Sequence, residues 1–249
     1  MIAPNKELGQ NFLRNDQIIN LFVKETEVHI EDIIYEIGPG EGVITKKYLE
    51  NKINFSLTSI DIDERSIEEL QKIKDERFKI LHKDILKFLP EISDTEYKIV
   101  GAIPYNITSP IIHRIIEKEN LPQKIVLIIQ KEVAEKICDT EKSSYMSLLV
   151  SYFYETKFVK KISRDDFYPS PKVDSGLIVL NLKKDFPEVD VNKLSPFLHK
   201  VFRTPRKKLN KVFAKEKLES LNISPDLRPE NLKIEDIIKL YNLEVLGKN

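Results

Sequence analysis

A short apolar run, Asp32-Ile33-Ile34-Tyr35-Glu36-Ile37, stops at Gly38-Pro39-Gly40-Glu41-Gly42, and apolar residues then return at helical spacing through Leu49. Strand, glycine turn, helix is the reading, and few architectures accept it. Parallel strands need a crossover, usually a helix, so strands alternating with helices indicate a parallel sheet. The rest of the chain repeats the alternation. Strands are expected at Phe55 to Ile60, Phe78 to Leu81, Tyr97 to Val100 and Lys124 to Ile129. Helical patterns occupy 14–28, 64–74, a segment starting near Ser109-Pro110, and a stretch ending about Lys136. The fold class is therefore α/β, a Rossmann-like sheet with helices on both faces. Leu148 to Phe153, Phe158 to Ile162 and Gly176 to Leu182 look strand-like, which suggests a sheet end with an antiparallel pair.

Composition shifts after Leu182. Lys183-Lys184-Asp185-Phe186-Pro187 is charged and carries a proline, and from Asn192 the periodicity is helical only. This places a domain over 1–184 and a small all-α domain over 185–249. The 249 residues are 41% hydrophobic, enough for a core, which argues against general disorder. Lys+Arg and Asp+Glu both total 40, so an RNA or DNA partner has to be argued from local clusters and not from net charge. The single cysteine, Cys138, excludes an internal disulfide and fits a reducing compartment; it reads as a small buried apolar residue. No apolar run reaches the roughly 18 residues of a membrane span, and the first residues lack a signal-peptide core, so a cytoplasmic location without membrane association is expected.

The glycine turn lets a ligand approach the backbone closely. Asp61, about twenty residues on at the end of the next strand, is placed to accept hydrogen bonds from a ribose. A purely structural turn is the alternative. Glu36, just before the turn, favours one ligand class: a carboxylate there would repel a pyrophosphate but suits a cationic sulfonium and amino group. Asp84, at the third strand end, could accept from an adenine amino group. Three carboxylates at successive strand ends fit S-adenosyl-L-methionine.

Ile103-Pro104-Tyr105-Asn106 follows the fourth strand at the carboxyl edge, where such sheets hold ligands. Pro104 stiffens the loop, and Tyr105 offers a face on which a base could stack for roughly 1–3 kcal/mol; a turn packed on the core is the alternative. With these pieces in place the sequence resembles the rRNA adenine N6,N6-dimethyltransferases over nearly its whole length. The resemblance is carried by Leu8-Gly9-Gln10-Asn11-Phe12-Leu13, the turn at 36–42, Asp61, Lys83-Asp84-Ile85 and the stretch from Gly101 to Ser109. It continues through Gln130-Lys131-Glu132-Val133-Ala134, Phe167-Tyr168-Pro169-Ser170-Pro171-Lys172-Val173-Asp174-Ser175, Phe202-Arg203 through Lys208, and Leu227-Arg228-Pro229-Glu230.

The resemblance implies a class I methyltransferase that adds two methyl groups to each of two adjacent adenosines of small-subunit rRNA, in an assembling small ribosomal subunit. It implies that Gln10, Asn11 and Leu13 cover the cofactor, that Gly38, Gly40, Asp61, Ile62, Asp84 and Ile85 hold it beside Glu36, and that Tyr105 stacks the target adenine, brought out of its stack. Ala102, Ile103, Pro104 and Phe167 complete the acceptor pocket, with Ala102 also against the cofactor.

One position departs from the family pattern. The motif carries asparagine where this chain has Ala102. That side chain would accept a hydrogen bond from the adenine amino group and leave its lone pair free for the methyl. Loss of such a positioned group is expected to cost on the order of 10²–10³ in rate. The carbonyl of Ile103 could still accept, and Asn106 is close in sequence. An engineered knockout, a natural enzyme using another acceptor and a non-methylating binding protein all fit this residue.

The densest basic run is Phe202-Arg203-Thr204-Pro205-Arg206-Lys207-Lys208-Leu209-Asn210-Lys211. Arg203, Arg206, Lys207, Lys208 and Lys211 are expected to contact RNA phosphates; a solvated helix face is the alternative. The scattered His29, His82, His113 and His199 show no ligand spacing, so no metal is expected. A monomer is expected. Two other functions compete: a large-subunit rRNA methyltransferase conferring antibiotic resistance, and a catalytically impaired assembly or transcription factor that binds RNA or DNA. Leu227-Arg228-Pro229-Glu230 leans towards the small-subunit type, and Ala102 towards the non-catalytic reading.

Overall fold

The computed structural model describes residues 2–139, 141–186 and 189–247. Met1 of the N-terminal reading and Pro187 of the charged stretch lie outside them. In chain order the elements are β1 (Phe12–Leu13), α1 (Asp16–Thr26), β2 (Ile33–Ile37), α2 (Val43–Leu49), β3 (Ser56–Asp61), α3 (Glu64–Leu70), β4 (Phe78–His82) and α4 (Ile85–Phe88). Then come β5 (Lys98–Ala102), α5 (Thr108–Ile116), β6 (Lys124–Gln130), α6 (Lys131–Cys138), α7 (Tyr145–Phe153), β7 (Tyr154–Ile162), β8 (Phe167–Tyr168) and β9 (Ser175–Leu182). Helices α8 (Val191–Phe202), α9 (Lys215–Ser220) and α10 (Ile234–Val245) follow.

Seven strands form one sheet in the order β4-β3-β2-β5-β6-β9-β7. The pairs from β4 through β6 are parallel, and β6 meets β9 antiparallel. The central strands β5 and β6 are buried on both faces because helices cover both; Ile125 through Ile129 are all buried. The core of this sheet gathers Phe22 of α1, Ile34, Leu57, Val100, Val126 and Leu177. Helix starts are capped by the residues the sequence offers: Asn15 Oδ1 accepts from the Gln17 and Ile18 amides, Asp63 from Arg65 and Asp84 from Leu86. The chain runs outward from β2 to β3 and β4, then returns to the other side of β2 with β5. The topological switch point therefore lies between β2 and β5, where Ile37 pairs with Gly101.

The contacts divide the chain into two compact units, 1–134 with 157–182, and 135–156 with 183–249. The expected division into 1–184 and 185–249 missed the excursion at 135–156. Composition marks the final exit from the sheet, but nothing compositional marks the first. Within that excursion 148–153, expected as strand, is the helix α7. Ser144 caps it by accepting from the Ser147 amide, and its apolar run is buried nearly all round. Such a run shows neither period clearly, so alternation could not identify it. Within the second unit α7 packs on α8 and α10. Phe197, Phe213 and Tyr241 form its aromatic centre, and Glu244 binds both Lys200 and Lys217. Cys138 is half-buried, and burial pushes its thiol up to about 11, out of the reactive range.

No helix among the described residues is long and apolar enough to cross a membrane.

Candidate cofactor and acceptor site

A cavity of about 290 Å³ opens at the switch point, within the first unit. Glu36, Gly38 and Gly40 reach it from the turn after β2, and Asp61 and Ile62 from the end of β3. Asp84 and Ile85 come from the start of α4, and Ala102, Ile103, Pro104 and Tyr105 from the end of β5. Gln10, Asn11, Leu13 and Phe167 close it from segments distant in sequence. All fifteen residues singled out for cofactor or acceptor thus line one cavity.

Glu36 is the most perturbed group there. It is fully buried; the Thr45 and Ser59 hydroxyls both donate to its Oε2 at 2.6 Å, and its Oε1 has no partner among the described residues. Burial pushes the carboxyl up to about 7, against the two hydroxyls, which pull it down. An orphaned carboxylate oxygen at the wall of a cavity is a place for a cationic group, which would return the carboxyl to its charged form. Asp61 is held differently. Its Oδ2 accepts from the Gly40 amide at 3.2 Å and its Oδ1 from the Asp63 amide at 2.9 Å, and burial raises it above the usual carboxylate range. The glycine turn is therefore locked to the end of β3 by the residue expected to bind ribose.

Gly40 is required by space as well as by its φ of +55°. A Cβ there would sit 2.8 Å from the Phe12 ring. Gly38, with φ +62°, would meet nothing within 4 Å, so the backbone there stands open to a ligand. The unpartnered Glu36 Oε1, the open Gly38 backbone and the acidic strand ends together fit an adenosyl cation. Ile62, 54% exposed, offers an apolar flank to a purine.

Several partners escaped the sequence reading. Phe12 and Leu13 form β1, which pairs antiparallel with β8, Leu13 opposite Phe167 and Phe12 opposite Tyr168. This clip brings the N-terminal segment over the cavity; the Arg14 amide bonds to the Asp166 carbonyl at 2.7 Å, and the Asn15 amide group to Asp166 Oδ1 at 2.8 Å. Gln10 lines the cavity, yet its amide is committed. It donates to Asp63 Oδ2 at 2.7 Å and accepts from the Asn5 amide at 2.9 Å. Arg65 binds Asp63 as well and holds its carboxyl down at about 2. The second carboxylate of Asp61-Ile62-Asp63 was the available signal for this network. Asn11 donates to the Gly9 carbonyl at 3.0 Å.

At the acceptor end Ile103 is buried, with its amide bonded to the Ile128 carbonyl at 3.2 Å. The Tyr105 hydroxyl shares a 2.7 Å hydrogen bond with Ser175 Oγ, and burial raises the phenol above its ordinary value. The ring is thereby held from its far end, at the cavity wall. Asn106 is exposed, and its Oδ1 lies beside the Gly9 loop. Ala102 ends β5 opposite Ile128 and presents only a methyl.

Arg203, Arg206, Lys207, Lys208 and Lys211 lie in the second unit, all exposed. They occupy the turn after α8 and a single 3-10 turn at Leu209–Lys211 and not one face of a regular helix. Lys208 pairs with Asp226 at 2.8 Å. Among the described residues no cluster of His, Cys, Asp and Glu could hold a metal ion.

Comparison with known proteins follows the same lines. The family model described as ribosomal RNA adenine dimethylase matches residues 2–244. A protein of Malacoplasma penetrans named ribosomal RNA small subunit methyltransferase A is 37% identical over 95% of this chain and 90% of its own length. A protein of the same name from Clostridium botulinum is 36% identical over 95% and 92%. Among solved structures, a dimethyladenosine transferase from Plasmodium falciparum superposes with a TM-score of 0.83, at 25% identity, over 95% of this chain and 98% of that one. The 23S rRNA methyltransferase ErmE shares the fold, with a TM-score of 0.74 at 23% identity over 93% and 98%.

Proposed function

The chain belongs to the ribosomal RNA adenine dimethylase family, and on that premise we propose that it transfers methyl groups from S-adenosylmethionine to N6 of two adjacent adenosines of small-subunit rRNA. The observation that carries the reading is a single cavity joining the acidic strand ends to the Ile103-Pro104-Tyr105 loop. The small-subunit substrate is supported by the names of relatives 36–37% identical over nearly the whole chain. The 23S enzyme shares fold alone, which does not favour the large-subunit alternative.

Glu36, Gly38, Asp61 and Asp84 would hold the cofactor, with Ile62 and Ile85 against its purine and Asn11 and Leu13 as cover. The cofactor supplies an electrophilic methyl on a cationic sulfonium. Glu36 Oε1 offers the countercharge, and Lys83, a cation on the same cavity wall, is paired with Glu91. Tyr105, fixed through Ser175, presents its face to an extruded adenine, and Phe167 walls the opposite approach. Leu13 and Phe167, paired across the clip, exclude water from that end. The backbone carbonyl of Ile103 is the acceptor available to the adenine amino group. With Ala102 at the neighbouring position the nitrogen is oriented by one carbonyl where the family pattern supplies an amide oxygen too. A non-catalytic binding role is not favoured, because the rest of the pocket is complete.

The substrate is read as small-subunit rRNA presented within an assembling subunit in the cytoplasm, to a monomeric enzyme without metal. The exposed basic turn of the second unit is the surface for its phosphates. The test is labelled methyl transfer to small ribosomal subunits that lack adenine dimethylation. Incorporation at two adjacent adenosines is expected, and cofactor binding without transfer to these subunits by either the unaltered chain or Ala102→Asn would sink the substrate assignment.

A further inference from the structure

A second cleft, of about 560 Å³, lies in the first unit and is lined by four cations, Lys131, Lys161, Arg164 and Lys172, against three carboxylates. Its charges are not equally engaged. Asp174 is an internal hub: its Oδ1 accepts from the Arg164 backbone amide at 3.1 Å, its Oδ2 pairs with Lys161 at 2.8 Å, and its carbonyl accepts from the Lys131 amide at 3.0 Å. Lys161 holds its carboxyl below the usual range, so it stays charged and committed. Asp165 is 82% exposed and stands 4.0 Å from Arg164 Nε, too far for a strong pair. Lys172 is exposed and makes no ion pair among the described residues. The guanidinium of Arg164 and the ammonium of Lys172 therefore face solvent with little compensation.

The cleft and the acceptor pocket share one stretch of chain. Asp174 in the cleft is followed by Ser175, which holds the Tyr105 hydroxyl. Phe167 in the pocket follows Arg164 by three residues. Lys172 to Ser175 spans at most about 10 Å of chain. In sequence between the two cations is Tyr168, 58% exposed and carrying the Arg14 guanidinium over its ring at 6.0 Å; its remaining exposed surface is one on which a base can stack.

We propose that this cleft receives the phosphodiester backbone of the RNA strand flanking the target adenine, with Arg164 and Lys172 as the phosphate contacts. The inference rests on the reading above that the acceptor is an adenine in RNA. Phosphate contacts here fix the register of the strand, so that one base falls at Tyr105.

The test is filter binding of unmethylated small ribosomal subunits between 50 and 200 mM salt, comparing the unaltered chain with Arg164→Gln/Lys172→Gln. Each phosphate contact to a single strand contributes about 0.7 to the slope of log affinity against log salt, so the double variant should lose about 1.4 of slope. About tenfold weaker binding at 100 mM is expected with it, while calorimetric affinity for S-adenosylmethionine stays unchanged. Asp165→Asn, which removes a carboxylate from the cleft, should tighten binding severalfold. Unchanged slope in the double variant, or weaker binding in Asp165→Asn, overturns the proposal. Methyl transfer is measured on the same subunits. The slope change without transfer by either the unaltered chain or Ala102→Asn supports the cleft while overturning the assigned reaction; transfer with no slope change overturns the cleft alone.

Discussion

Replacing Glu36 by glutamine tests the physical origin of the cofactor site. The carboxyl is fully buried and titrates at about 7 in the fold, against 4.5 as its ordinary value. Between those values the folded chain keeps a proton that the unfolded chain releases. The stability this group contributes is therefore complete below 4.5 and is lost as pH rises through about 7. Linkage over that interval makes the cofactor-free protein about 2–3 kcal/mol less stable at pH 8 than at pH 5 through Glu36 alone. Glutamine cannot titrate, so this part of the pH dependence disappears. The Thr45 and Ser59 hydroxyls can still donate to its oxygen. Its amide nitrogen then takes the place of the unpartnered Oε1, at a pH-independent cost of about 1–3 kcal/mol. Urea denaturation followed by far-ultraviolet circular dichroism at both pH values gives the double difference. The loss of stability from pH 5 to pH 8 should be about 2–3 kcal/mol smaller in Glu36→Gln. Equal losses in the two proteins would refute the argument that burial holds this carboxyl protonated. Cofactor affinity is the companion readout. A cation beside Oε1 draws the proton off, so affinity should rise from pH 6 to pH 8 in the unaltered chain and not through this group in the variant.

Ala102→Asn restores the amide acceptor and should raise kcat for methyl transfer to unmethylated subunits by up to on the order of 10², with cofactor affinity unchanged; an unaltered kcat in single-turnover assays would show that the Ile103 carbonyl suffices. Gly40→Ala puts a Cβ 2.8 Å from the Phe12 ring at a φ of +55°. It should displace β1, cost about 1–3 kcal/mol in denaturation and weaken calorimetric cofactor binding. Tyr168→Ala should weaken subunit binding by about tenfold, as for the loss of one stacked base, while leaving the salt slope unchanged; a reduced slope would mean that the ring acts through the phosphates.

Local sequence was enough for the parallel sheet, because its central strands read as apolar runs and the first four parallel strands each run into a glycine or an acid. That three carboxylates line one cavity was legible for the same reason: Glu36, Asp61 and Asp84 stand at strand ends, and in a parallel sheet those ends converge on one edge. What could not be read was every relation between residues distant in the chain. The clip of Leu13 to Phe167, the Ser175 hold on Tyr105 and the Gln10–Asp63–Arg65 network span 53 to more than 150 positions, and no periodicity encodes them. The excursion 135–156 and its helix α7 were hidden too, since a run buried nearly all round loses the alternation that separates helix from strand. Even the state of Glu36 was beyond the sequence, which supplied a carboxylate at the turn. Only the packed sheet removed water from it, placed two hydroxyls on one oxygen and left the other unpartnered, because desolvation is a property of everything that surrounds a group and not of its neighbours in the chain.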